Sequence, residues 1–480
     1  MSAAARASSG EPGRWGRPAK GEGIDLDALL PLLPDVPADA IVAYREAGPV
    51  RAADFLIDVG AVARALPEVD AALNLCQDRY WFAVSFMACI SRGILSLFPN
   101  ANAPQHLAFV QAQSPGCVAL GDQAERLTAE GPWLRVDEMA RHAASMPASQ
   151  RDMAVRMSVP AGERVARFFT SGSTGQPKPC DKFFGRLHAG HRAAARRIQS
   201  VTGGPRPVVG TSSFRHMFGF EATVTLPLWS GVGFGPDTPF FPADVAESLA
   251  RLPEPGLLVT TPYHLRKMLE ADIAFPRCAG LLSATAPLSA ALAEQAEARF
   301  QAPLLEVYGS TELGMMATRR TSLDEAWQVI EGFALRAVDE GFEAHGPALD
   351  APQPLHDLVE PLEAGRFRMI DRSSNLINVV GKRSSLGFLN QVLQGLPGVQ
   401  DGVFCLPPDA AHHDVSRLAA FVVAPGLTQA DILSGLRPHL DPVFLPRPIV
   451  LLDALPRDAN AKLPAAAMQA LVAEHLSRKA

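Results

Sequence analysis

Short apolar runs recur along most of the chain, each closed by a cluster of Gly, Ser, Thr and Pro and followed by helix-like spacing. Residues 207–209 run into Gly210, Thr211, Ser212 and Ser213. Residues 256–259 run into Thr260, Thr261 and Pro262, and then the helical pattern of 264–269. Leu281 and Leu282 run into the turn 283–287 and an Ala-rich helix that ends near Phe300; residues 304–308 run into 309–312. Strands alternating with helices predict parallel sheets covered on both faces. Ligands in such sheets bind beyond the carboxyl ends of the strands, so the polar turn residues are expected to collect on one rim.

Past residue 372 the rhythm changes. Residues 376–380, 403–406, 418–423 and 449–452 read as strands, and 386–396 and 429–440 as helices. The pattern predicts an α/β protein: a large N-terminal domain of parallel or mixed sheets flanked by helices over 25–372, and a small α+β C-terminal domain over 373–480. Residues 1–24, rich in Ala, Gly, Ser and Arg, read as a disordered tail without the continuous apolar core of a secretory signal. The most apolar run, 81–98, is interrupted by Arg92 and follows Gln77, Asp78 and Arg79. A spanning helix needs about 20 mostly apolar residues, so a buried helix is expected there and no membrane span.

Composition narrows the class. The chain has 480 residues, 48% hydrophobic and 20% charged, with a net charge of −6. Its length exceeds one comfortable core, and its acidity argues against general nucleic-acid binding, which needs a basic face. The six cysteines, Cys76, Cys89, Cys117, Cys180, Cys278 and Cys405, have no paired spacing. They read as free or buried thiols in a reducing cytoplasm.

Three segments carry candidate chemistry. Thr170, Ser171, Gly172, Ser173, Thr174, Gly175, Gln176, Pro177 and Lys178 follow the apolar strand 165–169. Two glycines free the backbone to turn its N–H groups toward phosphate oxygens, the hydroxyls add donors, and Lys178 adds a positive charge. No Gly-Lys-[Ser/Thr] ends the segment, so it is not a Walker loop. The second segment, Tyr308, Gly309, Ser310, Thr311 and Glu312, ends a strand; its carboxylate suits Mg²⁺, and its aromatic ring can stack on a base. The third, 455–462, places Lys462 on a C-terminal loop.

In order and content these segments resemble the adenylate-forming superfamily of acyl-CoA synthetases, aryl-acid ligases, peptide-synthetase adenylation domains and luciferases. The resemblance runs from about Asn74 to the C-terminal region. It implies ATP and Mg²⁺ as cofactors, a small carboxylic acid as substrate, and CoA or the phosphopantetheine of an acyl carrier protein as acyl acceptor. Under it, Thr170 to Lys178 is the mobile phosphate loop, and Ser283, Ala284 and Thr285 pack against adenine. Tyr308 lies against the base, with Gly309 and Ser310 beside it; Thr311 bonds the α-phosphate and Glu312 binds the metal. Asp357 and Arg372 hold the ribose. His216, Met217, Phe218, Gly219 and Gly314 line the acyl pocket. Lys462 stabilises charge during adenylate formation, Ser374 is the hinge of a mobile C-terminal domain, and Gly381 opens the thiol tunnel.

Departures from the family pattern are Ala461 where glycine is usual, Ser374 where Asp or Lys is usual, and a short stretch between Glu312 and Arg372. The implied function is ATP-dependent activation of an acid, aryl or fatty, to acyl-AMP and then to a thioester. The alternative is a non-catalytic nucleotide- or carrier-binding protein that keeps the fold. Met217, Phe218, Phe220 and Met315 favour a largely apolar acid. Glu221 suits either a polar substrate group or a structural partner. His188 and His191 read as a helix surface rather than a metal site.

Overall fold

The computed structural model describes residues 14–15, 24–34, 36–99, 102–124, 131–144, 157–171, 177–339, 341–346, 348–372, 376–379, 382–406, 418–458 and 463–476. Two sheets organise the large part of the chain. The first has six strands in the order Pro177–Phe183, Arg164–Ser171, Leu95–Phe98, Ala71–Asn74, Val118–Gly121 and Trp133–Arg135. They are parallel apart from the hairpin of its first two members. The second has eight strands. Val208–Gly210, Leu257–Thr260, Gly280–Ser283 and Leu304–Ser310 run parallel. Gly314–Arg319, Ala326–Val329, Arg366–Arg372 and Asp357–Leu362 then extend the sheet antiparallel. The short parallel strands are buried along their whole length, which is why they appear in the sequence as unbroken apolar runs.

The main core lies between the sheets. Phe82 and Phe86 of the helix Arg79–Arg92 meet Phe98 of the first sheet and Phe220, and both of these meet Phe168, with ring centroids 4.8–6.4 Å apart. Asp78 caps that helix by accepting from the N–H groups of Tyr80 and Trp81 at 2.7 and 3.2 Å. At its other end Gly93 takes a left-handed φ of 71°, a conformation open to glycine at little cost, and the chain turns directly into Leu95–Phe98. The apolar run expected as one buried helix is therefore a buried helix followed by a buried strand. Length and hydrophobicity alone do not separate the two.

Arg79 is fully buried beside Asp78. Its guanidinium donates to the carbonyls of Asp237 at 2.7 Å and Gly210 at 3.0 Å, and to that of Gly235. One side chain thus holds the end of a second-sheet strand and the loop beyond residue 235. Burial pushes its pKa down to about 10, which still leaves it charged at neutral pH.

Residues 386–476 pack cores of their own around Asp401–Cys405, Ala419–Val423 and Ile449–Leu451, with the helices Leu386–Gln394, Gln429–Leu436 and Ala465–His475. Three of the four expected strands and both expected helices lie here, and the fourth strand, Leu376–Val379, forms a hairpin with Lys382–Ser385; the last helix was not expected, and its alanines give it little amphipathic pattern. Arg266 of the helix Pro262–Glu270 reaches this part of the chain, donating to Gln394 at 3.1 Å. Within the stretch expected to be a disordered tail, Arg14–Trp15 pairs with Arg336 and Leu335 at the edge of a small separate sheet. Among the described residues no helix is long and apolar enough to cross a membrane.

Replacing Arg79 with methionine keeps the stem and removes the donors, leaving three carbonyls without their charged partner. Arg79→Met is expected to lower unfolding stability by about 3 kcal/mol or more, read from urea denaturation midpoints. A loss below about 1 kcal/mol would show that water replaces the guanidinium freely.

Candidate active site

The rim at the carboxyl ends of the second sheet's parallel strands gathers Thr211, Thr260, Ser283 and Tyr308 to Ser310, as the turn pattern predicted. The Thr211 and Thr260 hydroxyls bond one another at 2.9 Å across adjacent strands. Two buried hydroxyls on this rim, Ser212 and Ser283, have no hydrogen-bond partner among the described residues. Thr285, just past Ser283 and Ala284, holds φ at 80°, a left-handed conformation costly for a β-branched residue. Such strain persists where surrounding structure fixes it, and it clusters at ligand sites.

The tight turn between Leu304–Ser310 and Gly314–Arg319 sets the site's geometry. A Cβ on Gly309 would lie 2.0 Å from the Gly314 carbonyl oxygen, so only glycine allows this approach. Gly314 has φ +67°, and a Cβ there would meet Glu221 Oε1 at 2.7 Å. Ser310 Oγ accepts from the Leu313 N–H at 3.2 Å, closing the turn and leaving the Glu312 side chain exposed.

Tyr308 lies at the base of that turn. Its ring packs between Trp327 and Phe367, at centroid distances of 5.6 and 5.7 Å, and its hydroxyl donates to Asp357 Oδ2 at 2.6 Å. Two residues separated widely in sequence are thus joined, and the bond fixes one carboxylate oxygen of Asp357. Asp357 also pairs across the sheet with the backbone of Arg372, whose side chain lies outside the described atoms.

The first sheet reaches the same turn. In its hairpin Thr170 pairs with Lys178 and Ser171 with Pro177, so the segment 172–176 spans the hairpin's end. Farther along the same strand, Lys182 Nζ donates to the Glu312 carbonyl at 3.0 Å, and Cys180 Sγ lies 3.6 Å from the Thr311 carbonyl. Strand side chains alternate, so Lys178 shares the face of Cys180 and Lys182 that meets Thr311 and Glu312. Lys182 was not anticipated from sequence; its two-residue spacing from Lys178 along a strand was the available signal. Gly172, Ser173, Thr174, Gly175, Ser374, Gly381 and Lys462 lie outside the described residues, and of Thr170 and Ser171 only the backbone is described.

Behind the turn sits a small cavity of about 10 Å³, room for about one water. Met217, Leu313, Gly314 and Met315 line it, together with Lys182, Arg186 and Glu221. Of the expected acyl-pocket residues, His216 and Phe218 are half-buried beside Met217, and Gly219 packs so closely on the Ser213 carbonyl that a Cβ would lie 2.1 Å from it. Phe220 belongs to the aromatic core instead of the cavity wall. The lining is more polar than Met217, Phe218, Phe220 and Met315 suggested. The helix carrying these residues widens into a π-turn over Glu221–Thr225, a distortion frequent at functional sites.

Glu221 Oε2 accepts from the Met315 N–H at 3.0 Å. Burial pushes its carboxyl up to about 7, against opposing contributions from Lys182 and the Met315 amide. His188 and His191, expected on a helix surface, are buried against Trp229, and burial pushes His191 down to about 3. The helix Phe184–Thr202 turns this face inward, which its alternation of alanine with basic residues obscured.

Residues 54–339 match the family model for AMP-binding enzyme, and the chain belongs to that family. Its relatives include 4-coumarate–CoA ligase from Rhodobacter capsulatus, 33% identical over 272 residues, covering 57% of this chain and 66% of that protein. A second, 28% identical over 335 residues, is the 3-[(3aS,4S,7aS)-7a-methyl-1,5-dioxo-octahydro-1H-inden-4-yl]propanoyl:CoA ligase of Mycobacterium tuberculosis, with 62% of this chain and 64% of that one covered. The fold is that of ATP-bound MatB from Rhodopseudomonas palustris, with a TM-score of 0.77 at 18% identity over 92% of this chain and 97% of that one.

The Glu221 carboxyl has a testable signature. Its folded-state pKa of about 7 lies above the ordinary 4.5, so the folded protein holds this proton more tightly than the unfolded chain. Its contribution is fully present below about pH 4.5 and is lost as pH rises through about 7. Denaturation across that window should show a smaller decline in stability with rising pH for Glu221→Gln than for wild type. Parallel curves would place the carboxyl in contact with bulk water.

Proposed function

We propose that this protein is an AMP-forming acid–thiol ligase. A carboxylate oxygen attacks the α-phosphorus of ATP, the bond to the β-phosphate bridging oxygen breaks, and pyrophosphate leaves with that electron pair. A thiolate of CoA or of a carrier protein's phosphopantetheine then attacks the acyl carbon, and AMP leaves. Converting the carboxylate to a mixed anhydride with phosphate replaces a poor leaving group with a good one.

The observation that carries this reading is the junction of the two sheets at Thr311 and Glu312, met by Cys180 and Lys182 from the strand that also bears Lys178. A phosphate loop and an exposed carboxylate belong side by side in such chemistry. Glu312 has the hard oxygen donor that Mg²⁺ prefers, and one carboxylate plus substrate phosphates is a common way to hold that ion. Bound there, Mg²⁺ would neutralise phosphate charge. Lys178 and the backbone of 172–176 bind the β- and γ-phosphates, and Thr311 bonds the α-phosphate. Asp357, oriented by the Tyr308 hydroxyl, accepts from the ribose hydroxyls with Arg372 beside it, and Ser283, Ala284 and Thr285 lie along the base. Lys462 offsets the negative charge that builds at the α-phosphate and the attacking carboxylate. In the thiol step the unit from 373 onward turns about Ser374, withdrawing Lys462 and bringing Gly381 to the thiol path, a rigid-body change of a known kind.

Two measurements test this. Acid-dependent exchange of labelled pyrophosphate into ATP should fall about 100-fold or more in Lys462→Ala, while thiol transfer from supplied acyl-AMP stays within a few-fold of wild type; equal loss of both activities rejects the role. Tyr308→Phe frees Asp357 and should raise the KM for ATP about three- to tenfold, with the KM for the acid unmoved. A rise confined to the acid would remove Asp357 from the nucleotide site.

A further inference from the structure

A series of polar contacts joins the second sheet's helices to the C-terminal unit. Arg266, on the helix Pro262–Glu270, donates to the Gln394 amide oxygen at 3.1 Å. The nitrogen of that amide donates to the Gly402 carbonyl at 2.7 Å. Next to it, the Asp401 carboxylate accepts from the Gly402 N–H at 2.8 Å and holds Arg457 with both oxygens, at 2.6 and 2.7 Å. Arg457 stands five residues before Lys462 in the chain, so this ion pair keeps Lys462 within roughly 18 Å of it. The other end of the series lies near the nucleotide rim. The Arg266 helix is capped by Thr261, which follows Thr260 on the rim, and Arg266 is about 7.5 Å along it. Burial pushes the Arg266 pKa down, and Asp401 and Arg457 both act on its charge, in opposite senses.

The two ends of this series differ in strength. Asp401 and Arg457 form a two-bond ion pair inside the C-terminal unit. Arg266 spends its contact across the units on a neutral amide, and among the described residues no carboxylate lies within ion-pair distance of it. A single bond to an amide is weaker than a paired charge, which suits a contact that forms and breaks in every turnover. Resting on the proposed ligase reading, we infer that Arg266 and Gln394 are positioning residues: they dock the C-terminal unit in the arrangement that forms the adenylate, and pass that position to Lys462 through Asp401 and Arg457. Gln394 fits the task because an amide both accepts from Arg266 and donates to Gly402, whereas a carboxylate does only the first. When the unit turns for the thiol step, the Arg266–Gln394 bond breaks and the Asp401–Arg457 pair travels with the unit.

Two experiments on the full chain test the docking. Arg266→Met should lower the kcat of acid-dependent pyrophosphate exchange about 10-fold or more, the cost of a misplaced catalytic group, with the KM for ATP unmoved and thiol transfer from supplied acyl-AMP unchanged. Arg266→Lys, which keeps a charged donor, should recover part of the loss. Equal loss of both half-reactions, or no loss in exchange, overturns the positioning role. The second experiment locks the contact: Arg266→Cys with Gln394→Cys, bridged by a short bismaleimide. Of the native cysteines only Cys180 is partly exposed, so each single-cysteine variant serves as control. The bridge should form within one chain, and the locked protein should keep exchange while losing thiol transfer. Failure of the bridge to form, or a locked protein that transfers the acyl group but does not exchange pyrophosphate, overturns the inference and leaves the ligase reading standing. Efficient bridging in a protein whose wild type exchanges no pyrophosphate with any acid retains the docking contact and rejects the ligase reading.

Discussion

The Lys182 ammonium, donating to the Glu312 carbonyl beside the Cys180–Thr311 contact, ties the edge hairpin of one sheet to the strand-ending turn of the other. Apolar packing between the two sheets fixes distance but little orientation, and Arg79 adds a polar tie at Gly210. A charge-assisted bond to a backbone carbonyl does fix orientation, because the turn has no freedom left. Gly309 is pressed on the Gly314 carbonyl, and Gly314 on Glu221. The exposed Glu312 carboxylate, the Tyr308 phenol and the polar wall of the cavity all take their positions from this junction.

Buried charge around the junction follows one rule. Each such group has hydrogen-bond partners that compensate for lost water, or it is pushed toward its neutral form. Arg79 donates to three backbone carbonyls and, although burial pushes its pKa down to about 10, stays charged at neutral pH. Glu306 holds Arg319 at 2.7 Å and Thr321 at 2.6 Å, and steadies the chain after the 283–287 turn through the Leu288 N–H. Glu221 has one amide for two oxygens and is the group whose proton is held most strongly toward neutrality among these. Glu221 is thus the buried carboxyl with the fewest hydrogen-bond partners of these.

Much of the architecture was legible in the chain. Strands buried on both faces leave continuous apolar runs, and the turns that close them need Gly, Ser, Thr and Pro, so the rim residues could be read directly. The segment 81–98 was harder, since a buried helix and a buried strand look alike in hydrophobicity; only Gly93 marks the boundary. His188 and His191 were misread because a helix whose outer face carries arginines gives no sign that its inner face meets Trp229. Phe220 was assigned to the wrong environment for a similar reason, as neighbours on one short helix point to the core and to the cavity in turn.

The sequence by itself determined the α/β class, the order of the strands that end in polar turns, and the chemistry-bearing types at Tyr308, Thr311, Glu312, Asp357 and Lys178. These follow from local rules of periodicity and backbone freedom, which act over a few residues. The tertiary structure alone decided that Tyr308 grips Asp357, that Lys182 meets Glu312, and that Glu221 turns its carboxyl onto Gly314. Those contacts join residues tens to more than a hundred positions apart, and they exist only once apolar burial has set two sheets and a π-turned helix against each other.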